Sequence, residues 1–176
     1  MIIGVPKEIK LQEHRIGLTP DSVKALTDRN HEVLVENNGG FEAGFTNEDY
    51  LEAGAKIIKT SEEIFKKAEL IVKVKEPQMN EVKMIREGQI IYTYLHLAAA
   101  KELTLGLMKS KSICIAYETV TDDSGRLPLL APMSAVAGRM SVQAGAHALE
   151  KNQKGRGLLI GGAPGVDPAN VVILGG

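Results

Sequence analysis

Residues 2–36 read IIGVPKEIKLQEHRIGLTPDSVKALTDRNHEVLVE, and the order of patterns within this stretch decides the fold. A short β-branched run (2–5) gives way to a polar loop. A helical pattern follows over 21–29, and then a second apolar run with Val33, Leu34 and Val35. Strand, helix and strand at this spacing make a βα unit, which closes as parallel strands. The same alternation continues outward. Strands are expected at 55–58, 70–74, 90–94 and 112–117, and helices near 47–53, 61–68, 81–86 and 101–109. Helix starts are marked by Thr46 with Asp49 and by Thr60 with Glu63, at capping-box spacing, and by Asn80 as a cap. The expectation is an α/β fold: a Rossmann-like parallel sheet with helices on both faces.

After residue 127 the pattern changes. A proline-punctuated link covers 127–132, and a long helix rich in small residues is expected from Ser134 to about Lys151. Beyond Gly155 the chain is rich in turns, then apolar again over 171–174, before Gly175–Gly176. A strand running into glycines resembles the start of a dinucleotide fingerprint, whose glycines let the backbone approach a pyrophosphate. On its own this signal is weak. The domains are therefore set at 1–130, and at 131–176 for a linker helix with the first strand of an incomplete second Rossmann domain.

Composition narrows the function. With 21 basic and 22 acidic residues the net charge is −1, which argues against a nucleic-acid surface. One cysteine and four histidines exclude a disulfide framework and a cysteine-based zinc site, and no metal ligand set is expected. Cys114, inside an apolar run, reads as a small buried hydrophobe. No signal peptide opens the chain, and the longest apolar run is interrupted by His96, so a cytoplasmic protein is expected.

Ligands of open α/β sheets gather beyond the carboxyl ends of the strands. Four reactive side chains fall there: Arg15, Lys75, His96 and Glu118. Each also has a structural explanation. Arg15 reads equally as a solvated loop charge and Lys75 as one of several surface lysines. His96 reads as a satisfied core histidine, and Glu118 as a cap or a lysine partner. As a set they suit a small oxo or amino acid. Arginine orients a carboxylate, lysine polarises a carbonyl, and histidine transfers protons near neutral pH. Gly161–Gly165 lacks the Gly-Lys-Ser/Thr ending of a phosphate-cradling loop.

The opening segment 4–26 closely resembles the signature shared by alanine dehydrogenases and the alpha subunit of proton-translocating nicotinamide nucleotide transhydrogenase. It matches at Gly4, Pro6, Glu8, Glu13, Arg15, Thr19, Pro20 and Val23, and departs at Gln12, Ile16 and Gly17. GFEAGFTNEDYLEAGA (40–55), IVKVKEP (71–77), YLHLAA (94–99) and GGAPGVDPANVVILGG (161–176) extend the resemblance across the chain. Transhydrogenases lack the histidine of YLHLAA, so the dehydrogenase is favoured. The resemblance implies NAD-dependent, reversible conversion of L-alanine and water to pyruvate and ammonia. It assigns Arg15 to the substrate carboxylate, Lys75 to the oxo or amino centre and His96 to proton transfer. Glu118 would support the site, and Met133 and Ser134 would lie against the cofactor, although Ser134 also reads as a helix cap. Family members are about twice as long and commonly form homo-oligomers, typically hexamers. The chain is therefore expected to be an amino-terminal half, inactive without its complement and partnered by copies of itself or by a complementary chain. A transhydrogenase-like subunit and a non-catalytic pyruvate-binding or oligomerising fragment are the alternatives.

Overall fold

The computed structural model describes residues 1–174, and the expected Gly175–Gly176 start of a fingerprint lies outside them. The chain divides into two compact units, Met1–Leu127 and a second beginning at Pro128. In the first, six parallel strands run β1 (Ile2–Val5), β2 (Glu32–Glu36), β3 (Lys56–Ile58), β4 (Leu70–Val72), β5 (Ile90–Thr93) and β6 (Ile113–Ala116). Between them lie α1 (Pro20–Thr27), α2 (Asn47–Glu52), α3 (Ser61–Lys67), α4 (Met79–Val82) and α5 (Lys101–Ser110). The sheet order is β3-β2-β1-β4-β5-β6, a doubly wound Rossmann-like sheet whose winding reverses between β1 and β4.

Both faces of the sheet are covered, which explains why its central strands read as nearly continuous apolar runs. Side chains alternate across the pleat. Ile3, Val5, Val33, Val35 and Val72 pack with Val23, Tyr50 and Ala53 of the α1–α2 region. Leu34, Ile71 and Ile91 join Ile64, Phe65, Val82, Leu103 and Leu107 of α3, α4 and α5. Gly4 allows a close approach of β1 to α3. A Cβ there would stand 2.5 Å from Ile64 Cγ2 and 2.8 Å from Ala68 Cβ. Cys114 is half-buried against the second cluster, with its Sγ 3.4 Å from Ser112 Oγ.

Helix starts follow the local chemistry. Thr46 and Thr60 accept from the Asp49 and Glu63 amides, as expected. Asn80 does not cap. It lies inside α4, which starts earlier because the Glu81 carboxylate takes the Gln78 amide at 2.7 Å. The fourth strand stops at Val72 rather than residue 74: the Lys73 amide still bonds the Tyr92 carbonyl at 3.1 Å, but the Val74 and Lys75 amides turn to a side chain described below.

In the second unit α6 spans Ala131–Ala148, three residues earlier than expected at each end. Pro132 fits its first turn, where no intrahelical amide partner is lost. Ser134 is thus inside the helix, with Oγ donating to the Leu130 carbonyl at 3.4 Å, and does not cap it. The strand expected at 171–174 is not formed. Among the described residues no strand pairs with them, and a lone extended run leaves its amides and carbonyls unpaired. Among the described residues no helix is long and apolar enough to cross a membrane.

The packing at Gly4 gives a direct test. Gly4→Val should destabilise the chain by about 1–3 kcal/mol through overpacking against α3, read from urea unfolding midpoints. An unchanged midpoint would contradict the close approach of β1 and α3.

Candidate functional site

The winding reverses between β1 and β4, whose pairing ends at Gly4 with Ile71, and a reversal of this kind opens a crevice at the carboxyl ends of the strands in doubly wound sheets. The loop after β1 brings Arg15 to this edge, and the segment after β4 brings Lys75. The ends of β5 and β6 add Tyr94, His96 and Glu118.

Arg15 is held by its neighbour Glu13. The guanidinium Nε donates to Glu13 Oε1 at 2.8 Å and Nη2 to Oε2 at 2.6 Å, while the Arg15 amide also bonds Oε1. This two-point grip fixes the guanidinium plane. The Glu13 side chain is nearly buried, whereas that of Arg15 is 43% exposed, so the cation faces outward from an anchored base. The Arg15 hydrogen bond holds the Glu13 carboxyl down at about 2, and the positive charge of Lys75 adds to the effect. Glu13 thus lies in the fields of both cations. Sequence reasoning gave Glu13 no role of its own, although its spacing two residues before Arg15 was visible.

Lys75 is half-buried, and its backbone is pinned on both sides. Its amide reaches Glu8 Oε1 at 3.3 Å, and its carbonyl accepts from Thr93 Oγ1 at 2.8 Å. Lys73, inside the strand expected at 70–74, had no role in the sequence reading. It is fully buried, with Nζ 3.0 Å from Glu8 Oε2 and 2.9 Å from Glu81 Oε1. Its position between Val72 and Val74, in continuation of a doubly covered strand, was the available signal.

His96 is exposed, so it is not a core histidine. It adopts a left-handed backbone conformation (φ 50°, ψ 37°), which costs a non-glycine residue roughly 1 kcal/mol or more. Glu118 supports that turn. Its carboxylate accepts the His96 amide at 2.7 Å and the Leu95 amide at 3.0 and 3.2 Å. Glu118 therefore caps backbone and supports the histidine in one contact set. The imidazole lies nearly parallel to the Tyr94 ring (centroids 6.1 Å apart, 14° between planes), and Tyr94 meets Tyr117 edge-on. A cavity of about 460 Å³ opens beside His96, lined also by Leu97, Ala116 and Thr119. Met133 and Ser134 lie on α6, in the second unit.

The electrostatics at Arg15 are measurable. The Glu13 carboxyl should titrate near 2 in carboxylate NMR and move towards its ordinary value near 4.5 in Arg15→Met. Because its folded value is depressed, it contributes stability above pH about 4.5 that is lost as pH falls towards 2. An Arg15→Met chain with unchanged acid unfolding would contradict the pairing.

Comparison with known proteins agrees with this architecture. Residues 4–137 match the model for the alanine dehydrogenase/PNT N-terminal domain, and residues 141–176 that for the C-terminal domain. Alanine dehydrogenases of Halomonas elongata and Methanococcus maripaludis are 54% and 52% identical over 176 residues, all of this chain and 47% of each relative. A solved L-alanine dehydrogenase superposes with a TM-score of 0.86 at 51% identity, over 96% of this chain and 46% of that one. A transhydrogenase from Sinorhizobium meliloti shares the fold (TM-score 0.66, 23% identity), over 70% of this chain and 35% of that one. The chain spans about half the length of the curated relatives it matches. With most of its sequence matched by the N-terminal domain model, the chain belongs to the alanine dehydrogenase/PNT family.

Proposed function

We propose that the chain is the substrate-binding portion of an NAD-dependent L-alanine dehydrogenase. The observation that carries this reading is the placement of Arg15 and Lys75 on the two sides of the β1/β4 parting, with His96 one strand further on. Two cations and a proton-transfer group at a strand-end crevice suit a small 2-oxo or 2-amino acid. Arg15, with its plane fixed by Glu13, binds the substrate carboxylate. Lys75 faces the carbonyl oxygen of pyruvate and stabilises negative charge developing there. The His96 imidazole moves the proton at the carbinolamine oxygen as ammonia adds and water leaves. Glu118 keeps His96 in its turn.

NAD would supply the hydride acceptor for the substrate α carbon. In this reading Met133 and Ser134 of α6 lie against the cofactor, and α6 belongs to a second, nucleotide-binding domain. The described residues there include no strand running into a helix terminus, the arrangement that holds a dinucleotide pyrophosphate. Assembly into a homo-oligomer and a cytoplasmic setting belong to the same reading. The exposed Val136, Met140 and Val142 of α6 offer apolar surface for such assembly.

Calorimetric titration with pyruvate tests the substrate assignment. Binding should weaken about tenfold or more in Arg15→Lys, because an ammonium cannot make the two-point contact. His96→Ala should retain most of the affinity, since its role is proton transfer. Affinity indifferent to Arg15 would overturn the assignment.

A further inference from the structure

The buried cluster of Glu8, Lys73 and Glu81 makes no substrate contact as described, yet it lies directly beneath Lys75. None of the three side chains is more than 2% exposed. The Lys73 amide after β4 still bonds the Tyr92 carbonyl of β5 at 3.1 Å, but where β1 and β4 diverge the Val74 and Lys75 amides have no strand acceptor. Their pairing ends at Gly4 with Ile71. Glu8, in the loop after β1, supplies the missing acceptor. Its Oε1 takes the Val74 amide at 2.6 Å and the Lys75 amide at 3.3 Å, while Oε2 takes the Lys73 ammonium at 3.0 Å. On the other side the Tyr94 amide bonds the Val74 carbonyl at 3.3 Å.

We propose that Glu8, with Lys73 as its counter-ion, is a positioning residue that sets the Val74–Lys75 backbone and so aims the Lys75 ammonium into the crevice. The inference rests on the reading of Lys75 as a substrate contact. Replacing a buried ion pair by apolar groups is often neutral or stabilising, so a buried cluster of this kind contributes placement more than stability. Three full charges would leave the cluster with a net negative charge. Burial pushes the Glu81 carboxyl up, against the pull of the Lys73 ammonium 2.9 Å away. Glu81 touches Lys73 but none of the amides at 74 and 75, which separates its role from that of Glu8.

Glu8→Gln distinguishes position from stability. The variant chain has Glu81 as a remaining counter-ion for Lys73. A glutamine, however, has one carbonyl oxygen for two sets of donors. Turned to Val74 it points its NH2 at the Lys73 ammonium, and turned to Lys73 it points the NH2 at the Val74 amide.

The experiment combines amide hydrogen exchange with pyruvate titration of the full 176-residue chain. In Glu8→Gln, exchange at Val74 and Lys75 should speed up about tenfold relative to Ile71 and Val72, and pyruvate should bind about tenfold more weakly. Glu8→Gln with Lys73→Met should regain most of both, because the ammonium that opposes the amide is gone. Glu81→Gln should leave both readouts unchanged. Unaltered exchange in Glu8→Gln, or equal effects from Glu81→Gln, would overturn the proposal. If Glu8→Gln alone does not fold, the double variant decides. Slow exchange at Lys75 supports the proposal, and fast exchange in a folded double variant overturns it. Wild-type chain that does not bind pyruvate would sink the substrate reading instead, and exchange alone would then judge the role of Glu8.

Discussion

A parallel sheet wound in both directions from its middle must let a pair of neighbouring strands diverge, and the amides at that divergence have to find new acceptors. Here it lies between β1 and β4. Glu8 takes the orphaned amides, and Lys73 makes its buried charge tolerable. A second tie, the ion pair of Lys10 with Glu76, joins the same two loops. The parting of the two strands is thus bridged by two side-chain ties between its loops. A binding site needs that combination: an opening, with walls that do not drift.

The candidate site side chains are held through their backbones or through a neighbour. Arg15 is gripped by Glu13 two residues away, so its charge is fixed by local sequence. Lys75 is fixed through its amide and carbonyl, from the loop after β1 on one side and β5 on the other. His96 sits in a strained turn that Glu118 stabilises from the next strand end. The same carboxylate chemistry recurs in all three cases. An acidic side chain accepts backbone or guanidinium N–H and leaves the working cation or imidazole facing outward.

Much of this was legible in the sequence where a pattern had one physical meaning. Val33 and Val35 pack on one face of the sheet and Leu34 on the other, and a βα alternation allows little besides a parallel sheet covered twice. Thr46 and Thr60 marked their helices because the capping geometry is local. Arg15, Lys75, His96 and Glu118 were found from their places at strand ends, and those ends do come to one edge. The sequence was silent where a residue's meaning depends on a distant partner. Lys73 reads as an ordinary charged side chain until Glu8, 65 residues away, is seen against it. Residues 171–174 have strand propensity, but a strand needs a neighbour, and none of the described residues provides one.

The most direct test of the account is where a small 2-oxo acid lands on the chain. Backbone amide spectra recorded during a pyruvate titration should show shifts gathered at Glu13 and Arg15, at Val74 and Lys75, and at Leu95 and His96. That result would place the ligand at the β1/β4 parting. Shifts gathered elsewhere, with these amides unmoved at saturation, would contradict the account at its centre.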